Sequence, residues 1–130
     1  PRRIGWVDKR RPAPGQAKAH QLIGEVRGLN AVIVDDMIDT AGTLCEAARI
    51  LKEGGAERIV ACGVHGLFNG PAIERIMQSP IERVFVTNSV EQKPAARACA
   101  KISVIPIGDL LAQAISRVVT GESLRSLGKP

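Results

Sequence analysis

Tyrosine is absent from the 130-residue chain, tryptophan occurs once and phenylalanine twice, so aromatic side chains make up 2% of it. Trp6, Phe68 and Phe85 cannot build a stacking platform for the bases of a single strand, which argues against nucleic-acid binding. Cysteine is also sparse. Cys45, Cys62 and Cys99 are odd in number and widely spaced, against a disulfide framework and against a paired-cysteine zinc site; they read as small core hydrophobes. No apolar run approaches the ~20 residues of a membrane span. Nor does the start, Pro1-Arg2-Arg3 followed by Trp6-Val7-Asp8, contain the apolar region of a signal peptide. The expectation is a cytoplasmic protein with no membrane and no nucleic-acid partner.

What is present is a globular composition. With 45% apolar and 24% charged residues, 13 glycines and 8 prolines, the chain is neither disordered nor collagen-like. Its length sets a ceiling of one domain. Eighteen Lys and Arg residues outnumber thirteen Asp and Glu for a net charge of +5. In the absence of aromatics, a small polyphosphate substrate accounts for that excess.

Arg3 to Val7 reads as the end of a strand, followed by a charged loop, Asp8-Lys9-Arg10-Arg11, that Pro12-Ala13-Pro14-Gly15 keeps irregular. Ala19 to Val26 is compatible with strand or helix, with the strand preferred, and Gly28-Leu29-Asn30 is a turn. Ala31-Val32-Ile33-Val34 is a continuous apolar run that stops at two carboxylates, the pattern of a strand covered on both faces in a parallel sheet. After a loop from Asp35 to Gly42, Leu44, Ala47, Ala48 and Leu51 fall at helical spacing, and Gly54-Gly55 ends that helix. Arg58 to Val64 is a second such strand. It leads through a loop, His65 to Gly70, into a short helix with Pro71 in its first turn and Ala72, Ile73, Ile76 and Met77 as its apolar face. Val84 to Val86 and Ile102 to Ile105 are further strands. Leu110, Leu111, Ala114, Ile115 and Val118 form one stripe of a last helix, and the tail from Thr120 is polar. Alternating strands and helices imply an α/β protein: an open, mostly parallel sheet flanked by helices.

Ligands of such sheets sit outside the carboxyl ends of the strands. There lies Asp35-Asp36-Met37-Ile38-Asp39-Thr40-Ala41-Gly42-Thr43, between a buried strand and a helix N-terminus. Thr40, Ala41, Gly42 and Thr43 are small enough for backbone N–H groups to close on a phosphate, and the helix dipole favours an anion at that point. Gly42 permits a positive φ or a close approach. Three acids beside an anion site are electrostatically wrong unless they serve something else. Carboxylates accept hydrogen bonds from a sugar diol and are hard ligands for magnesium, so the string suits a phosphate at one end and hydroxyls, with a metal shared with a polyphosphate, at the other. The plainer alternative is that Asp39 or Thr40 caps the helix while Asp35 and Asp36 are solvated; capping needs one acid, and this loop has three.

The string from Val32 to Thr43 resembles the phosphoribosyl-diphosphate motif of type I phosphoribosyltransferases. Asp8-Lys9-Arg10-Arg11-Pro12, His65, Gly70-Pro71-Ala72 and Val86-Thr87-Asn88-Ser89 extend the resemblance, from about Gly5 to about Leu127, to the ribose-phosphate diphosphokinase family. It implies a type I phosphoribosyltransferase-like fold and transfer of the diphosphate of ATP to the C1 hydroxyl of ribose 5-phosphate, with Mg2+ as cofactor and a homo-oligomeric state. On that resemblance Lys9 and Arg11 match the catalytic pair, Asp35 contacts the ribose beside Asp36, and Asp39, Thr40, Ala41, Gly42 and Thr43 match the cradle of the 5-phosphate. The same resemblance implies that an N-terminal half of similar fold, carrying most of the ATP pocket and the magnesium ligands, lies outside these residues. The chain is then a part of a C-terminal domain, expected to be inactive alone and to self-associate.

Other residues carry less. His65 and His20 read more simply as structural, Asn88 and Ser89 as turn formers, Arg117 and Arg125 as surface charge. Ser123 roughly aligns with the family's effector segment, from which Arg125 and Gly128 depart. Two rival functions fit the sugar loop: a salvage phosphoribosyltransferase that consumes phosphoribosyl diphosphate, and a non-catalytic regulatory subunit. The intact Lys9 and Arg11 count against the second.

Overall fold

The computed structural model describes residues 6–9 and 20–127. Two short strands, β1 (Trp6–Lys9) and β2 (His20–Ile23), pair antiparallel with Trp6 opposite Ile23 and Lys9 opposite His20. The main sheet has four parallel strands in chain order, β3 (Ala31–Ile38), β4 (Ile59–Gly66), β5 (Arg83–Thr87) and β6 (Ile102–Ile105). Between them run α1 (Gly42–Glu53), α2 (Ala72–Gln78) and α3 (Pro94–Ala98); α4 (Gly108–Thr120) and a 3-10 turn (Leu124–Ser126) follow. The expected parallel α/β sheet is therefore present.

Several elements differ from those read in the sequence. β1 runs through Asp8 to Lys9, so the start of the charged segment is strand, not loop. β3 does not stop at its carboxylates but continues through Asp35 and Asp36 to Ile38, because β4 offers a parallel partner as far as Gly66: Asp35 pairs with Gly63 and Met37 with His65. The helix α3 escaped the sequence reading altogether. Five residues are too few to show a period, and one buried side chain, Ala96, is what fixes it.

Helix α1 illustrates how the sequence builds the covered face of the sheet. Leu44, Ala47, Ala48 and Leu51 are all buried, one stripe at the 3.6 period. Full burial of each leucine is worth roughly 1.5–3 kcal/mol. The helix ends in a Schellman motif: Ala56 N–H donates to the Leu51 carbonyl and Gly55 N–H to the Lys52 carbonyl, both at 3.0 Å, with Gly55 at φ 90°. The core joins this stripe to Ile59, Ala61, Val84 and Val86 of the sheet and to Ala72 and Ile76 of α2. Lys101 secures the far end of α2, its Nζ donating to the carbonyls of Ile76, Met77 and Ser79 at 3.1, 3.1 and 2.9 Å.

The opposite face of the sheet is open, contrary to the expectation that β3 is covered on both sides. Val32, Val34 and Val64 project from it, and Val34 is 78% exposed. The run is apolar on both faces because of its residue types, but among the described residues nothing packs over the second one. The stripe of α4 is also uncovered: Leu110, Leu111, Ile115 and Val118 are exposed and no residue of that helix is buried. Of the cysteines, Cys99 is buried and Cys45 and Cys62 are partly so, all three free.

Candidate phosphate-binding site

At the carboxyl edge of the sheet, β3 turns into α1 through Asp39, Thr40 and Ala41. The residue that adopts the left-handed conformation there is Ala41, at φ 57°, and not the glycine beside it. Gly42 is the first helical residue. Its lack of a Cβ serves space: a Cβ at Gly42 would stand 3.3 Å from Nη1 of Arg75. Ala41 is the N-cap, and no side chain caps the helix. The reading of Asp39 or Thr40 as mere capping groups is thereby removed.

The carbonyls of the turn are all engaged. Ile38 O accepts from Leu67 and Phe68 N–H at 3.0 and 3.1 Å, Asp39 O from Asn69 N–H at 3.0 Å, and Ala41 O from Cys45 N–H at 3.0 Å. Thr40 O accepts from Arg75 Nη1 at 3.0 Å. Among the described residues, none of the N–H groups from Thr40 to Leu44 donates within the chain. A segment with its acceptors tied down behind it and successive amides free at a helix start has the geometry of an anion cradle. Those bonds hold it against backbone strain. Phe68, in the loop that grips Ile38, is the second non-glycine residue with positive φ, at 45°, and such conformations persist where surrounding structure over-determines them.

The acids are arranged around this cradle without joining into one cluster. Asp35 Oδ1 accepts from the N–H of Asp36 at 2.9 Å, and Asp36 Oδ1 from that of Met37 at 2.7 Å. Asp39 Oδ1 accepts from Nδ2 of Asn69 at 2.7 Å, and Asn69 Oδ1 in turn accepts from Lys93 Nζ. Among the described residues, nothing engages the second oxygen of any of the three carboxylates. Among the described residues no group of three or more His, Cys, Asp or Glu could hold a metal ion. No helix among them is long and apolar enough to cross a membrane.

Of the residues expected at the site, Asp35 through Thr43 fall on one continuous strand end and turn. Lys9 ends β1, with only its backbone described, and Arg11 lies outside the described residues. His65 stands level with Met37 and Thr87 across β3, β4 and β5, with Nδ1 2.8 Å from Ser89 Oγ. Asn88 accepts from the Ile107 N–H at 3.0 Å, fixing the approach to α4. Sequence reasoning missed Asn69, Arg75 and Lys93. Only Gly70-Pro71, which places a turn and a helix start next to Asn69, hinted that this segment matters. A groove of about 530 Å3 lies between α2 and α3, lined by Phe68, Pro71, Ile73, Lys93 and Ala96 but by none of the cradle residues.

A parallel sheet with a row of backbone amides and two strand-borne carboxylates at its carboxyl edge defines an α/β protein whose candidate site lies where ligands of such sheets bind. The family described as the phosphoribosyl synthetase-associated domain matches residues 9–129, and the chain belongs to it. The ribose-phosphate pyrophosphokinase of Aquifex aeolicus is 45% identical over 124 residues, spanning 95% of this chain and 39% of that protein. That of Chromobacterium violaceum is 47% identical over 124 residues, spanning 95% of this chain and 38% of its own. Among solved structures, the phosphoribosylpyrophosphate synthetase from Mycobacterium smegmatis superposes with a TM-score of 0.75 at 30% identity, over 82% of this chain and 35% of the other. The chain thus spans about two-fifths of the length of these relatives.

Proposed function

We propose that the chain is the sugar-phosphate-binding part of a ribose-phosphate diphosphokinase, which transfers the diphosphate of ATP to the C1 hydroxyl of ribose 5-phosphate and releases AMP. The observation that carries this reading is the row of free amides from Thr40 to Leu44 behind which every carbonyl from Ile38 to Ala41 is engaged. The 5-phosphate takes the amides and hydroxyls of Thr40, Ala41, Gly42 and Thr43. Asp39, Asp35 and Asp36 take the ribose hydroxyls through their unengaged oxygens, which resolves the conflict between three acids and an anion.

Lys9 and Arg11 are the groups assigned to the transferred diphosphate. Such transfer relies on positioning and on stabilising charge that develops on the bridging oxygen, and a guanidinium gives two-point contact where an ammonium gives one. Magnesium neutralises the polyphosphate when bound. The reading places the metal's protein ligands mainly in the remainder of the enzyme.

We assign the chain to the C-terminal part of the enzyme, inactive by itself, working in the cytoplasm and within a homo-oligomer. Its coverage of the relatives and the uncovered valines of β3 and β4, a patch of the kind that marks an interaction surface, support that assignment.

The test is incubation of the full-length protein with ATP, magnesium and ribose 5-phosphate. AMP and phosphoribosyl diphosphate should form together. Release of diphosphate from phosphoribosyl diphosphate and a nucleobase, with no AMP, would instead make the protein a salvage transferase; ribose 5-phosphate binding with no turnover would make it a regulatory subunit.

A further inference from the structure

The turn that forms the cradle carries three carboxylates from Asp35 to Asp39 and no lysine or arginine from there to Thr43, so its side chains repel the anion that its amides attract. A cation stands behind it. Arg75 reaches from α2 to donate its Nη1 to the Thr40 carbonyl at 3.0 Å, and the same nitrogen closes to 3.3 Å on the position of a Cβ at Gly42. Its guanidinium therefore reaches both Thr40 and Gly42, on either side of Ala41. Arg49, Arg58 and Arg97 each have a carboxylate partner, whereas among the described residues Arg75 has none, so its charge is not neutralised locally.

The contacted carbonyl belongs to the peptide unit whose N–H is that of Ala41. A charged donor on the oxygen of a peptide polarises it and makes its N–H a stronger donor in turn. We propose that Arg75 is a positioning residue of the phosphate cradle: it holds the Thr40 carbonyl turned away from the anion, strengthens the Ala41 amide and supplies the positive charge that the turn lacks. Gly42 is a glycine in order to leave room for that guanidinium. The inference rests on the reading of the turn as a ribose 5-phosphate site and adds to it a residue beyond the turn.

Calorimetric titration of the full-length protein with ribose 5-phosphate and with unphosphorylated ribose separates the two. Arg75→Met should raise the dissociation constant of ribose 5-phosphate about tenfold. It should also flatten the dependence of that constant on salt, and leave ribose binding and the melting temperature as in the wild type. Arg75→Lys should restore the salt dependence and part of the affinity. Arg75 is exposed, so both variants can fold. Wild-type affinity in Arg75→Met, or equal loss of ribose and ribose 5-phosphate, would overturn the role of Arg75 alone. A wild type that binds neither sugar would overturn the sugar-phosphate reading and this inference with it.

Discussion

Asn69 holds Asp39 twice: its backbone N–H donates to the Asp39 carbonyl at 3.0 Å and its side-chain Nδ2 to the Asp39 carboxylate at 2.7 Å. The double contact fixes both the path of the turn and the direction of the carboxylate, while Lys93 on the Asn69 oxygen keeps the amide from flipping. Together with Arg75 on Thr40, it makes the segment after β4 a brace for the segment after β3.

Asn69→Ala keeps the backbone half of that brace and removes the side-chain half. Because the pair is exposed, the variant should lose no more than about 1 kcal/mol of stability. Its dissociation constant for ribose 5-phosphate should nevertheless rise about tenfold, the cost of an Asp39 carboxylate free to rotate. Calorimetry and a thermal melt on the same samples check both; unchanged affinity would show that the Asp39 carboxylate needs no orientation. Asn69→Asp should be worse than Asn69→Ala, since it sets a second negative charge against the first.

How far these features were legible in the sequence depends on the range of the interactions that create them. β4, β5 and β6 announce themselves in local runs rich in Ile and Val, and α1 does so through Leu44, Ala47, Ala48 and Leu51. The candidate anion turn stood out as a string because its residue types suit the chemistry proposed for it. Its geometry did not. The left-handed residue is an alanine, which no propensity rule selects beside a glycine, and it is held there by bonds from Asn69 and Arg75, 30 and 35 residues away from their partners. The end of β3 was misplaced for a similar reason, since Asp35 and Asp36 discourage a strand locally and only pairing with β4 overrides them. The amphipathic stripe of α4 was read correctly as a pattern, yet a pattern does not say whether its partner surface is at hand.

Cys45 provides a pH dependence of stability. Burial pushes its thiol above the ordinary value of 9.0, against smaller opposing effects from a hydrogen bond to Ser79 and from the charges of Arg75 and Lys101. The unfolded chain therefore releases this proton at a lower pH than the folded one. The associated stability is complete below about pH 9 and is lost as the pH rises through the folded value. Urea unfolding at pH 8 and pH 10 should show a smaller loss of stability in Cys45→Ala than in the wild type. An equal loss in both would mean that the thiol ionises alike in the two states.

Ala41 offers the sharpest test of the cradle's shape. Its left-handed backbone costs an L-residue roughly 1–2 kcal/mol, and it is buried, so any larger side chain must also find space. Glycine adopts the same conformation without that cost but gains freedom in the unfolded chain, so Ala41→Gly should be within about 1 kcal/mol of the wild type and still bind ribose 5-phosphate. Valine is the discriminating substitution. A β-branched residue at positive φ is a true outlier, and the turn should escape by rotating the Thr40–Ala41 peptide, which breaks the Arg75 contact and swings the Ala41 N–H out of the cradle. Ala41→Val should therefore lose at least about 2 kcal/mol of stability and tenfold or more in ribose 5-phosphate affinity. Full affinity in Ala41→Val would mean that the ligand does not depend on the left-handed turn, and the free amides would have to be serving something else.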